Sequence, residues 1–333
     1  MYEMLGKPFG WLLYGFFKLG ITNYALLIVI ITLIVRLIMI PTSINQQKGM
    51  AKTQRMQSKI RKIQEKYAGD QRKIQEETQA LYQREGYNPM NAGCLPMAIQ
   101  FILLFGLIGV IYYPLSNFLH IDETYITALT EAVKALGYSA PSNNTRLYEL
   151  IVIEHISELK EIFVAGVAHM GTGENPVDVY ELIKNIPLQT FELIESVGFK
   201  AFGISLGTTP SESPFPSLIW LIPILSTVST IGSSVYSTVK QKQSGTTNPQ
   251  AAKSMGCMTV FMAAFSLYFV IRFPAGIGIY WITSSVLGLI SSIVIGHLYS
   301  PKKMLARDMI DETVERRSRE KSIIVATENK EQK

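Results

Sequence analysis

Acidic residues are missing from every long apolar run of this 333-residue chain. Five such runs can be drawn, at 23–43, 93–114, 216–238, 255–272 and 277–298, and none contains Asp or Glu. Proton-coupled carriers ordinarily place an acid or a histidine inside the membrane, so the pattern argues against that class. Signatures of chemistry are missing as well. There is no intramembrane Asp pair, no H-E-x-x-H, no Ser/His pairing and no G-x-x-x-x-G-K-[ST] loop. The sequence therefore points away from an enzyme and implies no catalytic residue, metal, nucleotide or other cofactor. Cysteine is scarce: Cys94 and Cys257 form no C-x-x-C pair and no disulfide framework. Charge is scarce too, at 17% of residues against roughly 25% in soluble domains.

What remains is apolar. About 20 apolar residues cross the hydrocarbon core of a bilayer, so the five runs predict an all-α polytopic membrane protein. The fourth and fifth share a tight Phe273-Pro274-Ala275-Gly276 turn and form a membrane hairpin. Residues 1–22 have lysines on both sides of an apolar stretch and no A-x-A-like cleavage site. They read as an uncleaved amphipathic helix in the interface, anchored by Trp11, Tyr14, Phe16 and Phe17.

Basic residues predict the orientation. Segment 44–92 carries ten Lys and Arg against five acids, segment 239–254 three against none, and the tail 299–333 nine against seven. Segment 115–215 carries five against thirteen. Cytoplasmic loops hold the Lys/Arg excess, so the first three segments are expected inside. The acidic segment and the N-terminus are expected outside. Five spans satisfy every loop.

Residues 44–92 predict a polar cytoplasmic helical hairpin. Gly69 can end one helix and Asp70 can cap the next. Met56, Ile60 and Ile63 share a face that Ile74 and Leu81 can meet. This hairpin is either a solvated structure touching anionic lipid or a collector for polypeptide or ribosome. Residues 120–197 hold three helical patterns, at 122–137, 145–168 and 176–197, with Asn175 before Pro176 as a start signal. Residues 197–216 read as a Gly-, Ser- and Pro-rich linker. The insertion is therefore expected to be separable, and its removal to leave the rest intact. His120, His155 and His169 lack metal-ligand spacing.

Arg36 interrupts the first span. A central Arg costs about 2.5–3.5 kcal/mol on insertion scales, although Pro41 near the inner end leaves snorkelling open as an explanation. Polar stripes in other spans weigh against a mere flaw. Thr32 lies one turn before Arg36. Ser226, Ser229, Thr230 and Ser233 line one stripe of the third span, Tyr280, Thr283 and Ser284 one of the fifth, and Gln100 lies in the second. With no carboxylate in any span, Arg36 needs water, carbonyls, hydroxyls or a bound acid. The expectation is a hydrophilic groove open to the cytoplasm.

Four marks, in order, carry a family resemblance. Arg36 is followed by P-x-S at 41–43. K-Y-x-x-D-x-x-K at 66–73 runs on to L-Y-x-x-E-G-Y-N-P at 81–89. G-C-L-P-M-x-I-Q occupies 93–100, and P-A-G-I-G-I-Y-W-x-x-S occupies 274–284. Over 1–118 and 216–300 the chain resembles the YidC/Oxa membrane protein insertases. The resemblance implies a five-helix core around a cytoplasm-open groove, with Arg36 attracting acidic residues of a substrate's translocated segment. Gln100 and Trp281 match groove-side positions, with Tyr280 beside Trp281 in the same motif. It implies nascent membrane proteins as substrates and the Sec translocon and ribosome as partners, the ribosome through tail and hairpin. Three departures stand out. No cysteine precedes Cys94, so a lipid anchor lacks support. The loop between spans two and three is long. Gly232, Ser233 and Ser234 replace a frequent glutamine of span three. The alternatives are a small-anion transporter or channel using Arg36 as its binding charge, and a chaperone that holds subunits without inserting them.

Overall fold

The computed structural model describes residues 2–86, 89–140, 147–172, 177–243 and 249–299, with 306, 309–310, 313–314 and 316–321 of the tail. The Asn175 start signal lies outside these residues. The described chain is helical almost throughout, as α1 (Tyr2–Lys18), α2 (Tyr24–Ile38), α3 (Ile40–Lys66), α4 (Gln71–Arg84), α5 (Pro89–Tyr112) and α6 (Glu123–Ala135). It continues as α7 (Tyr148–Glu154), α8 (Ile156–Ala165), α9 (Val179–Ile183), α10 (Leu188–Glu195), α11 (Leu221–Gln243), α12 (Pro249–Arg272) and α13 (Ala275–Leu298). The one described sheet pairs β1 (Lys200–Ala201) with β2 (Ile204–Ser205). Two compact units result. The first holds Met1–Ile38, Ile99–Ser234 and Cys257–Gly288; the second holds Met39–Ala98, Val235–Gly256 and Leu289–Lys333.

Length and composition qualify Leu218–Val239 and Ala275–Leu298 as membrane spans, and Tyr24–Ile38 with Ile40–Gly49 as a third if they are one broken span. Phe101–Tyr112 and Ala263–Arg272 are shorter apolar stretches. Their outward faces agree with lipid contact: Leu33, Leu37, Ile224, Val228, Tyr268, Val286 and Ile290 are all exposed. A surface that apolar is not left to water. Inside α2, by contrast, Tyr24, Leu27, Ile28 and Ile31 are fully buried. The helix starts where Asn23 Oδ1 accepts the Leu26 N–H at 3.0 Å. It stops before Pro41, which has no N–H and would strike the Leu37 carbonyl. The break falls at Met39, upstream of the 43/44 boundary drawn from hydropathy.

In the second unit, α3 runs 27 residues, about 40 Å at 1.5 Å each, and folds back on α4 through Gly69, whose φ is 96°. Asp70 caps α4 by accepting the Lys73 N–H at 3.1 Å. Met56 and Ile60 are buried on the inner face. The expected hairpin chemistry is therefore present: glycine in the left-handed turn, carboxylate on the first orphan donors, apolar residues between the arms.

In the first unit α1 is packed more closely than an interfacial helix. A Cβ on Gly10 would lie 1.8 Å from the Asn117 carbonyl oxygen, and one on Gly6 2.5 Å from the Asn117 amide. Leu13 is fully buried. Asn117 belongs to a π-helical turn, Pro114–Phe118, that follows α5. Trp11 stays exposed, with its ring on His120 at 4.2 Å between centroids, and Tyr14 meets the same imidazole edge-on at 5.4 Å.

The His120 Nε2 has no partner among the described residues. Burial lowers the pKa of this histidine from its ordinary 6.5, against an opposing hydrogen bond to the Ser116 backbone. The folded chain thus holds it neutral while the unfolded chain takes up the proton first. Stability is expected to be flat above pH 6.5 and to fall as the pH drops below it. His120→Asn, which does not titrate and tolerates the left-handed φ of 53°, should flatten thermal unfolding profiles on the acid side. An unchanged profile would remove His120 from this account.

The acidic insertion is not a separable body. Its five short helices and the membrane-side helices share one apolar core, in which Leu13, Tyr24, Leu107 and Phe118 join Leu129, Leu159, Ile183, Phe191 and Phe199. Asp122 and Asp178 cap α6 and α9. The middle and last of the three expected helical patterns break at His155 and before Pro187. The 197–216 stretch is built in, which corrects its reading as a linker. Gly198 N–H donates to the Thr22 carbonyl at 2.9 Å, and its own carbonyl accepts the Tyr24 N–H at 3.1 Å. Thr208 and Leu206 carbonyls accept the Ala275 and Gly276 N–H groups at 2.9 and 3.0 Å. One orphan donor at the start of α2 and two at the start of α13 are satisfied by this one segment. Glu149 adds a third tie, accepting the Leu115 N–H at 2.7 Å, the Ser116 N–H at 3.1 Å and the Ser116 hydroxyl at 2.9 Å.

Candidate functional site

Arg36 sits in the last turn of α2, half-buried, with exposed Leu33 and Leu37 on neighbouring faces. Its Nη2 donates to the carbonyl oxygen of Ser284 at 2.8 Å and to the Ser284 hydroxyl. The guanidinium also lies over Gly288, where a Cβ would be 3.4 Å from Nη2. Ser284 and Gly288 are one turn apart on α13, and Tyr280 is one turn before Ser284. The absence of a side chain at 288 lets the planar fork lie against the helix. Arg36 forms no ion pair among the described residues. Among the described residues its hydrogen bonds use only Nη2, so Nε and Nη1 keep donor capacity.

The other expected residues divide. Ser284 is buried and bonded to Arg36, and Tyr280 is buried on the same face. Trp281 is half-buried and faces Phe269 at 6.2 Å and Tyr280 at 6.4 Å between centroids. Thr230 reaches across helices to Ser285 at 3.4 Å. Ser229 and Ser233 turn their hydroxyls back onto the carbonyls of Ser226 and Thr230, each at 2.9 Å. Thr32 is buried and donates to the Ile28 carbonyl of its own helix at 2.6 Å. It is the ordinary back-bond of a threonine inside a helix, and Thr32 is not brought to Arg36. The Gln100 side chain lies outside the described residues. Gly288 and Ser285 join the arrangement unforeseen; Gly288 could have been found as the next position on the Tyr280–Ser284 face. No group of three His, Cys, Asp or Glu capable of holding a metal occurs among the described residues.

The cation is held by two oxygens of one serine beside exposed leucines, with no carboxylate paired to it among the described residues. It can hold a carboxylate or another anion briefly. Residues 16–303 match the family model of the 60Kd inner membrane protein. This chain belongs to that family. It is the YidC/Oxa family, and the curated relatives carry names to match. The chain is 39% identical over 103 residues to membrane protein insertase YidC 2 of Listeria innocua, a match covering 30% of this chain and 36% of that protein. It is 40% identical over 93 residues to membrane protein insertase MisCA of Bacillus subtilis, covering 27% and 35%. To membrane protein insertase YidC of Clostridium perfringens it is 36% identical over 120 residues, covering 33% and 50%. The matches thus span between about a third and half of these relatives' lengths. Family membership and the apolar helices together make the chain a multi-pass membrane protein.

Proposed function

We propose that this protein is a membrane protein insertase. A hydrophilic segment of a nascent membrane protein enters a polar groove from the cytoplasm, and the adjoining apolar helix passes sideways into lipid. The observation that carries the reading is Arg36 itself. It is a permanent cation in an apolar helix, held by Ser284 with donors to spare and with no carboxylate of the chain paired to it among the described residues. A charge-assisted hydrogen bond to an acidic residue in transit lowers the cost of taking that residue out of water. Release into lipid then follows from burial of apolar surface, about 25 cal/mol per Å².

Five spans, with the N-terminus outside and the C-terminus inside, complete the reading. Thr230, Ser229, Ser233, Tyr280, Trp281 and Gln100 are assigned to the groove wall beside Arg36 and Ser284. Thr32 supports α2 from within its packing. The α3–α4 hairpin and basic tail face the ribosome and anionic lipid, and the protein works alone or with the Sec translocon. The reaction needs no cofactor at this protein.

The test is photocrosslinking from position 36 in proteoliposomes to a ribosome-bound nascent membrane protein with an acidic leading segment. Crosslinks that appear at intermediate chain lengths and vanish after release are expected. Their absence, combined with anion flux in liposomes free of peptide, would select the small-anion transporter instead.

A further inference from the structure

The β1–β2 hairpin turns on two residues, pairing Lys200 with Ser205 and Ala201 with Ile204. The turn is Phe202-Gly203, with φ of 51° and 79°. Two positive φ values mark the mirror-image turn that suits tight hairpins, where Asn-Gly is the usual choice. Glycine is at ease there. Phenylalanine is not, because a bulky side chain in the left-handed region crowds its own backbone. Nor does packing compensate: Phe202 is 95% exposed, the most exposed large apolar side chain among the described residues. The position thus combines a strained backbone with a large apolar ring that the protein leaves uncovered.

The hairpin's anchorage says what covers it. Its base is bonded through Gly198 to Thr22 and Tyr24 at the start of α2. Through Leu206 and Thr208 it is bonded to Ala275 and Gly276 at the start of α13. Ile204 packs on the small apolar cluster of Ile219, Ile222, Val270 and Ala275, which joins the start of α11 to the end of α12. Four membrane helices therefore end at the level of this one hairpin. Phe215 and Leu218, also exposed, lie in the chain just before α11, and Lys200 is exposed in β1. Strands of two residues cannot carry the tip far, about 3.3 Å per residue, so Phe202 stays near the plane where the spans leave the hydrocarbon. Aromatic rings are favoured in that layer, and a nearby lysine can meet lipid phosphate.

We propose that Phe202 is a bilayer anchor: the tip of the hairpin inserts its ring at the headgroup–acyl boundary, with Phe215 and Leu218 beside it and Lys200 on the phosphates. The anchor fixes the depth and tilt at which α2, α11, α12 and α13 enter the membrane. It rests on those helices being membrane-embedded and is independent of the insertase reading.

The experiment uses the full chain with Cys94 and Cys257 replaced by Ser, carrying Phe202→Cys labelled with an environment-sensitive fluorophore. It is reconstituted in phosphatidylethanolamine–phosphatidylglycerol vesicles. Emission is expected to shift to shorter wavelength relative to the labelled protein in unfolding detergent. Quenching should be strong by lipids with a nitroxide near the headgroup, weak by a nitroxide at the acyl terminus, and weak by aqueous iodide. Strong iodide quenching with no lipid quenching would overturn the proposal. A blue shift that depends on protein density in the vesicle would also overturn it, in favour of a second copy as the occupant. Phe202→Asn supplies an unlabelled check on folding. Asparagine fits the turn, so the variant should unfold in mild detergent at no lower temperature than the parent. A lower temperature would mean that the ring packs within the protein, and would overturn the anchor.

Discussion

Replacing Arg36 by alanine is expected to lower insertion of substrates with acidic translocated segments by roughly ten- to a hundredfold. That range is the loss of one charge-assisted hydrogen bond, about 1.5–3 kcal/mol, at about 1.4 kcal/mol per decade. Substrates whose translocated segments lack acids should be affected far less, because apolar transfer into lipid does not pass through the guanidinium. Arg36→Lys should fall between the two. The charge persists, but one ammonium on a flexible stem cannot hold the Ser284 carbonyl and hydroxyl while offering a planar edge to a carboxylate. Ser284→Ala should cost less than Arg36→Ala, since the Ser284 carbonyl, 2.8 Å from Nη2, is untouched by the change. The measurement is protease protection of the translocated tail in proteoliposomes, for a matched pair of substrates differing only in tail acids. Full protection of the acidic-tailed substrate by Arg36→Ala would end the role assigned to this residue.

Some of this arrangement is legible in the sequence because its causes are local. Arg36 announces itself as a charge in an apolar run. Gly69 and Asp70 announce a turn and a cap because their chemistry acts over three residues, and the Asp70–Lys73 bond follows from that. The helical, membrane-embedded character comes from composition alone, and the family from four short motifs spread over the chain. What escaped has a different origin. Thr32 sits at the right spacing to share a face with Arg36, yet spacing along a helix does not say whether a hydroxyl points across or back, and the Ile28 carbonyl is nearer. The 197–216 stretch is rich in Gly, Ser and Pro, as a linker would be. Its role comes from backbone bonds to Thr22, Tyr24, Ala275 and Gly276, distant positions that no local composition encodes. Gly10 looks like any glycine in an apolar helix until the Asn117 carbonyl is seen against it. Glu149 is the plainest case, since one carboxylate in an acidic loop carries no signal that it is buried.

Glu149→Ala is accordingly expected to be the most damaging single change outside the membrane. The side chain is buried and serves the turn after α5 with both oxygens, through Leu115 N–H, Ser116 N–H and the Ser116 hydroxyl. Alanine would strand two backbone donors where the fold admits little water. Each such donor costs about 1–3 kcal/mol, so the loss should be roughly 2–6 kcal/mol and visible as a marked drop in unfolding temperature in detergent. Glu149→Gln should lose less, because its amide oxygen can still accept both N–H groups while Ser116 turns its hydroxyl to accept from the amide nitrogen. The damage should also spread. The turn held by Glu149 contains Asn117, whose amide donates to the Gly109 carbonyl at 2.9 Å and whose backbone seats α1 at Gly10. Loosening it should part the Trp11 ring from the His120 imidazole, and change the tryptophan emission, before the remaining helices unfold. Glu149→Ala that melts with the parent would mean water already reaches those N–H groups, and the clamp would then be a surface contact worth little.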